Sequence, residues 1–158
     1  MVSKVKFSTY SLILSFILIA LLVVIGICVE SNIKFYFIFS LLFVLVMFAC
    51  MCAPLRIEAD DKYITVGSLL KKHKIALDKV VSVELFPPTM GARRLCGSGG
   101  FMGYWGIFRE GDIGMYQAYY GRSSDCFLIR LKNGDKYVLG CNNPGEMVEY
   151  IKNRINNP

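Results

Sequence analysis

Hydrophobic and polar positions divide this chain into two unlike parts. From Phe7 to Val29 there are 23 residues without a charge, and from Phe35 to Ala53 another 19. Glu30, Ser31, Asn32, Ile33 and Lys34 separate the runs. A helix needs about 20 apolar residues to cross a hydrocarbon core. Both runs meet that length, and both are too long and too apolar for core helices of a small domain. From Pro54 onward the pattern changes to short alternations, mixed charge and many glycines. The pattern predicts a two-helix transmembrane hairpin (about 7–29 and 35–53) within residues 1–53, and one soluble domain over 54–158.

Within 54–158 the alternation has period two. Arg56-Ile57-Glu58-Ala59-Asp60 and Tyr63-Ile64-Thr65-Val66-Gly67 predict a strand pair turning at Asp61 and Lys62. Ser68 to His73 is expected to be a connection, and Lys74-Ile75-Ala76-Leu77 resumes the pattern. Val80 to Leu85 predicts a strand ended by Pro87 and Pro88, which lack a ladder donor. Met115 to Tyr120 and Cys126 to Leu131 follow, then Asn133-Gly134, a strong hairpin signal, and the return strand Tyr137 to Leu139. A two-residue turn there would pair Leu131 with Lys136, Ile129 with Val138 and Cys126 with Cys141. The last element is a helix. Asn143 caps it, Pro144 suits its first position, Glu146 lies three residues after the cap, and Met147, Val148, Ile151 and Ile155 form one apolar stripe.

Six or seven short antiparallel strands followed by one amphipathic helix predict a bent sheet or partly open barrel with the helix plugging one end. This order resembles a bacterial pleckstrin-homology-like (PH-like) domain tethered by membrane helices. The likeness rests on the strand pair at the membrane exit and the strand containing Val81-Ser82-Val83-Glu84. It rests also on the run from Gly97 to Gly106 and on the Asn142-Asn143-Pro144 cap, and it covers residues 55–155. It implies a mainly β fold and a binding or assembly module rather than a catalyst.

Charge adds an orientation. Lys4 and Lys6 precede the first run, and Arg56, Lys62, Lys71, Lys72 and Lys74 follow the second, while the linker balances Lys34 against Glu30. Positive residues stay on the cytoplasmic side, so both termini are expected there, in an inner-membrane protein. A cleaved leader is not expected, because the first run exceeds the usual 7–15 residues and lacks a small-residue cleavage site. The part from Pro54 has 15 Lys and Arg against 11 Asp and Glu, too slight an excess to indicate nucleic acid. The six cysteines, Cys28, Cys50, Cys52, Cys96, Cys126 and Cys141, have no metal-ligand spacing, and a cytoplasmic domain keeps its thiols reduced. No metal, cofactor or disulfide is expected. The single histidine, His73, has no nucleophile pattern around it, and the pairs Asp60/Asp61 and Glu110/Asp112 suit turns.

One stretch invites a sharper reading. GARRLCGSGGFMGYWGIFREGDIG, residues 91–114, holds 8 glycines, the adjacent Arg93 and Arg94, and the only tryptophan. Met102 stands where a dinucleotide fingerprint needs its third glycine, and no Gly-Lys-Ser/Thr occurs. Two readings remain. In one, the stretch is a long excursion between strands, buried by Phe101, Tyr104, Trp105 and Phe108. In the other it is a binding rim, with Arg93 and Arg94 for an anionic group and Phe101 and Trp105 for a membrane interface or partner. Lys71, Lys72 and Lys74 are further candidates for lipid-surface contact. The function expected is a non-catalytic module that presents a PH-like domain at the inner leaflet to a protein partner or anionic lipid headgroup. The alternative is a structural membrane protein that assembles homo-oligomers. An enzyme ranks behind both, for want of a convergent acid, base and nucleophile.

Overall fold

Apolar side chains cover nearly every face of two helices. The computed structural model describes residues 1–28, 33–89 and 91–156, and in it Thr9–Cys28 (α1) and Ile33–Cys52 (α2) are helices of 20 residues each. Both are long and apolar enough to cross a membrane by length and composition. Gly26 meets the Phe39 ring so closely that a Cβ there would lie 2.7 Å from Cζ, the close approach that small residues permit between such helices. The connection at 29–32, expected to face away from the cytoplasm, lies outside the described residues.

Among the described residues ten strands form two sheets. The first is β1 (Val2–Lys4), β2 (Arg56–Ala59), β3 (Tyr63–Gly67) and β4 (Lys72–Ala76), in that order and antiparallel. The second contains β5 (Val80–Leu85), β6 (Arg93–Gly100), β7 (Gly103–Glu110), β8 (Gly114–Tyr120), β9 (Cys126–Leu131) and β10 (Lys136–Gly140), ordered β5-β9-β10-β8-β7-β6. The β8–β10 pair is parallel and the rest are antiparallel. Neither sheet closes into a barrel. The expected six or seven strands undercount for two reasons. Glycine-rich β6 and β7 show no alternation, and β1 lies ahead of the first apolar run.

β1 changes the domain's outline. Val2 pairs with Glu58, Ser3 with Ile57 and Lys4 with Arg56. The Met1 amine donates to the Ala59 carbonyl at 2.6 Å, and Val5 N–H donates to Leu55 at 2.9 Å. Val5 is buried in the main core, and Ser8 N–H donates to Gly121 at 3.0 Å. A division of the chain at residue 54 therefore separates a strand from its sheet. α1 starts and α2 ends beside the domain, so the N-terminal segment and the β domain lie on one side of any membrane that both helices cross.

Strand alternation in the second sheet builds two cores. Phe127, Ile129, Leu139 and Cys141 face the first sheet's Ile57, Ile64, Val66 and Ile75. Cys126, Leu128 and Val138 face the other way, against Phe108, Tyr116, Ala118 and Tyr120. α3 (Pro144–Asn156) buries Met147, Val148 and Ile151 in the first core, each apolar side chain contributing about 1.5–3 kcal/mol. Asn143 Nδ2 donates to Glu146 Oε2 at 3.2 Å at the helix start.

The hairpin register differs from expectation by one residue. Arg130 pairs with Lys136, Ile129 with Tyr137 and Cys126 with Gly140. Gly134 N–H donates to Leu131 and Leu131 N–H to Asp135, with Gly134 at φ 88°. That is a three-residue loop with glycine at the left-handed position, the next commonest alternative to a two-residue turn. Because alternation has period two, the shift sends Cys126 and Cys141 to opposite cores.

Candidate functional site

The glycine-rich stretch is not a loop but a hairpin of two eight-residue strands, β6 and β7. Gly97 and Gly106 oppose each other at φ 110° and 120°. A Cβ on Gly97 would overlap the Trp105 carbonyl, and one on Gly106 the Cys96 carbonyl. Only glycine permits that approach and that backbone. These glycines let two strands coil tightly, and they cradle no phosphate-binding turn before a helix.

The coil brings the hairpin's tip, Gly100 to Gly103, onto the first two turns of α1. Ser11 Oγ donates to the Gly100 carbonyl at 2.5 Å and accepts from Gly103 N–H at 2.9 Å. Ser15 Oγ accepts from Met102 N–H at 2.9 Å and donates to the Ser11 carbonyl at 2.7 Å. The Ser98 hydroxyl donates to the Phe101 carbonyl at 2.6 Å. Ser11 is 0% and Ser15 3% exposed, although nearly every neighbour on α1 is an exposed apolar residue. Leu14 packs on Gly100. The sequence reading missed both serines. Their signal is the spacing Ser8, Ser11, Ser15, one polar stripe on an otherwise apolar helix.

A second tip lies beside α2. Ser68 to Lys71 form the β3–β4 turn, closed by Ser68 N–H to Lys71 O at 3.0 Å and Ser68 Oγ to Lys71 O at 2.7 Å. Leu70 N–H donates to the Met51 carbonyl at 3.2 Å in the last turn of α2. Leu69 and Leu70 are 68% and 48% exposed, and Lys71 and Lys72 follow, both exposed. Lys74 is two strand positions beyond Lys72, over the Tyr63 ring at 5.6 Å. Lys71 thus closes the turn next to the helix end, and Lys72 and Lys74 lie on β4.

The four rim candidates do not form one cluster. Phe101 is at the tip and partly buried; Trp105 stands between Ser98 and Tyr119 on neighbouring strands. Arg93 opens β6 opposite Arg109, exposed at the end away from the tip. Arg94 is exposed but folds back along the strand, its Cδ 3.5 Å from where a Gly99 Cβ would be. Trp105 Nε1 is buried without a hydrogen-bond partner among the described residues.

Two further features could carry chemistry. A groove of about 1150 Å³ runs between β4 and the β9–β10 turn, lined by residues of both signs, including Lys62, Lys79, Lys132, Asp61 and Asp78. His73 sits at its wall between the Tyr119 and Tyr137 rings, 5.8 and 5.3 Å between centroids. Burial, then the Lys71 charge, lowers its pKa from 6.5, which favours the neutral imidazole. In the second core Glu110, 3% exposed, accepts from Thr89 N–H at 3.0 Å and from the Thr89 hydroxyl. Tyr116 lies beside it, its pKa pushed up by burial and then by the Glu110 charge. Burial likewise raises the Cys126 and Cys141 thiols, which are free and buried, so both are poor nucleophiles. Among the described residues no three His, Cys, Asp or Glu side chains gather as metal ligands.

Two sheets and a C-terminal helix define a mainly β fold, and comparison with known families agrees. Residues 55–155 match the family model described as Bacterial PH domain, and the chain belongs to that family. PH domains are generally non-catalytic binding modules. No curated protein and no solved structure matches the chain.

Proposed function

We propose that this chain is a non-catalytic, membrane-anchored recognition module that holds its PH-like domain against the inner leaflet to engage anionic lipid headgroups. The pairing of β1 with β2 carries this reading. β1 belongs to the domain's first sheet, so the domain is stitched to both helices and meets the bilayer in one orientation. That orientation turns Leu69 and Leu70 toward the apolar layer at the end of α2, with Lys71 and Lys72 at headgroup level. Each lysine near an anionic surface contributes about 1 kcal/mol. Lys4, Lys6, Arg56 and Lys62 lie on the same side, which supports a cytoplasmic location.

Native mass spectrometry of the full chain, offered equal phosphatidylcholine and phosphatidylglycerol, tests the headgroup preference. Retained lipid is expected to be enriched in the anionic species, and the enrichment should shrink with salt because charges are screened within about 10 Å at 0.1 M. It should also shrink in Lys71→Ala/Lys72→Ala. Equal retention of both lipids by both proteins would count against lipid recognition and favour a protein partner.

A further inference from the structure

We propose that the β6–β7 tip is an intramembrane wedge, seated below the headgroups against α1 with Phe101 and Met102 among lipid acyl chains. This rests on the reading that α1 and α2 cross the bilayer. A hairpin tip in water leaves its outward N–H and C=O groups to solvent. Here the tip's groups are taken up by hydroxyls, two of them from an apolar helix: Gly100 C=O and Gly103 N–H by Ser11 and Met102 N–H by Ser15 of α1, and Phe101 C=O by Ser98 of β6. Backbone within hydrocarbon is tolerated only where its polar groups are satisfied by protein, and this tip meets that condition.

Depth follows from the helix. α1 begins at Thr9, so at 1.5 Å per residue Ser11 and Ser15 lie about 3 and 9 Å further along its axis. α2 ends at Cys52, level with the domain, where Leu70 bonds Met51. The apolar run starts at Phe7 and contains no charge until Glu30, so nothing in it favours lifting Ser11 and Ser15 into water. The tip itself, Gly100-Phe101-Met102-Gly103, carries no polar side chain; the nearest charge is the Arg94 guanidinium, laid along β6 beside Gly99, and on β7 it is Arg109. Ser11 and Ser15 thus bind a segment of their own chain inside the leaflet, and the glycines of β6 and β7 let the hairpin curl far enough to reach them.

Trp105 is the only tryptophan, so depth-dependent fluorescence quenching reads single positions in the full chain. The chain is reconstituted in phosphatidylcholine/phosphatidylglycerol vesicles containing lipids brominated near the top of the acyl chain. Three proteins are compared: wild type, Phe101→Trp/Trp105→Phe and Tyr63→Trp/Trp105→Phe. Tryptophan at 101 should emit furthest to the blue, lose most of its intensity to bromine and resist aqueous acrylamide. Tryptophan at 63, at the strand end away from the turn beside α2, should behave oppositely, and Trp105 should fall between. Acrylamide quenching at 101 equal to that at 63, without bromine quenching, would overturn the wedge. Alkaline carbonate extraction of the same vesicles separates the two failures. A chain that stays in the lipid with an unquenched tip refutes the wedge alone, whereas a chain released from the lipid refutes the membrane-spanning reading beneath it.

Discussion

Gly97 and Gly106 show how a residue's smallness can be structural rather than functional. Both have positive φ, and both would drive a Cβ into the opposite strand. Gly145, in the first turn of α3, has nothing within 4 Å and no positive φ. Gly97→Ala should lower the stability of the detergent-solubilised chain by at least about 2 kcal/mol, from the backbone penalty of about 1–2 kcal/mol plus the overlap. Gly145→Ala should be neutral or slightly stabilising, since alanine is the better helix former. Thermal unfolding followed by near-ultraviolet circular dichroism compares them. Equal midpoints would mean that β6 and β7 do not coil as described. The glycine count was plain in the sequence, but the reason for it was not. Glycine serves loops, phosphates and close strand contacts alike, and only the pairing of residue 97 with 106 separates these.

Among the elements, β1 most alters how the protein can be cut. A chain beginning at Pro54 loses Val5 from the core and uncovers the edge of β2 at Ile57. A soluble version with residues 1–8 joined to Ala53 through a short Gly/Ser linker should melt at a higher temperature than one starting at Pro54. It should also protect the amides of Ile57 and Ala59 from hydrogen exchange more strongly. Identical melting and exchange would show that β1 adds nothing to the sheet. β5 and β9 have the bounds that their alternation predicts, and α3 starts at the proline after its cap. β1 was illegible because three residues ahead of a long apolar run carry too little pattern. Their partner lies more than fifty positions away.

For the whole molecule, the fold and the charge pattern make separate demands. Where the two helices cross a bilayer, β1–β2 pairing requires the N-terminal segment and the β domain on one side of it, and the proposed orientation, from the distribution of lysine and arginine, makes that side the cytoplasm. A reporter active only outside the cytoplasm should therefore be silent both when fused before Met1 and when fused after Pro158. Opposite results at the two ends would contradict the strand pairing. Activity at both would leave the pairing intact and reverse the orientation.

The sequence alone determined what depends on near neighbours: two apolar helices, most strands, the capped last helix and the family likeness over residues 55–155. These follow from side-chain periods of 3.6 and 2 and from cap and turn chemistry, all set within a few residues. Tertiary structure decided what depends on distant partners. The β9–β10 register turned on whether Asn133-Gly134 closes a two- or a three-residue loop, which local preference leaves nearly balanced. Ser11 and Ser15 gained their meaning only when a hairpin some ninety residues later arrived with unpaired backbone groups. Arg93 and Phe101, neighbours in the sequence reading of a rim, were set at opposite ends of β6 because the stretch between them is extended. A hydroxyl or guanidinium has no fixed role until a partner of complementary polarity is brought to it, and for this chain the fold supplies those partners.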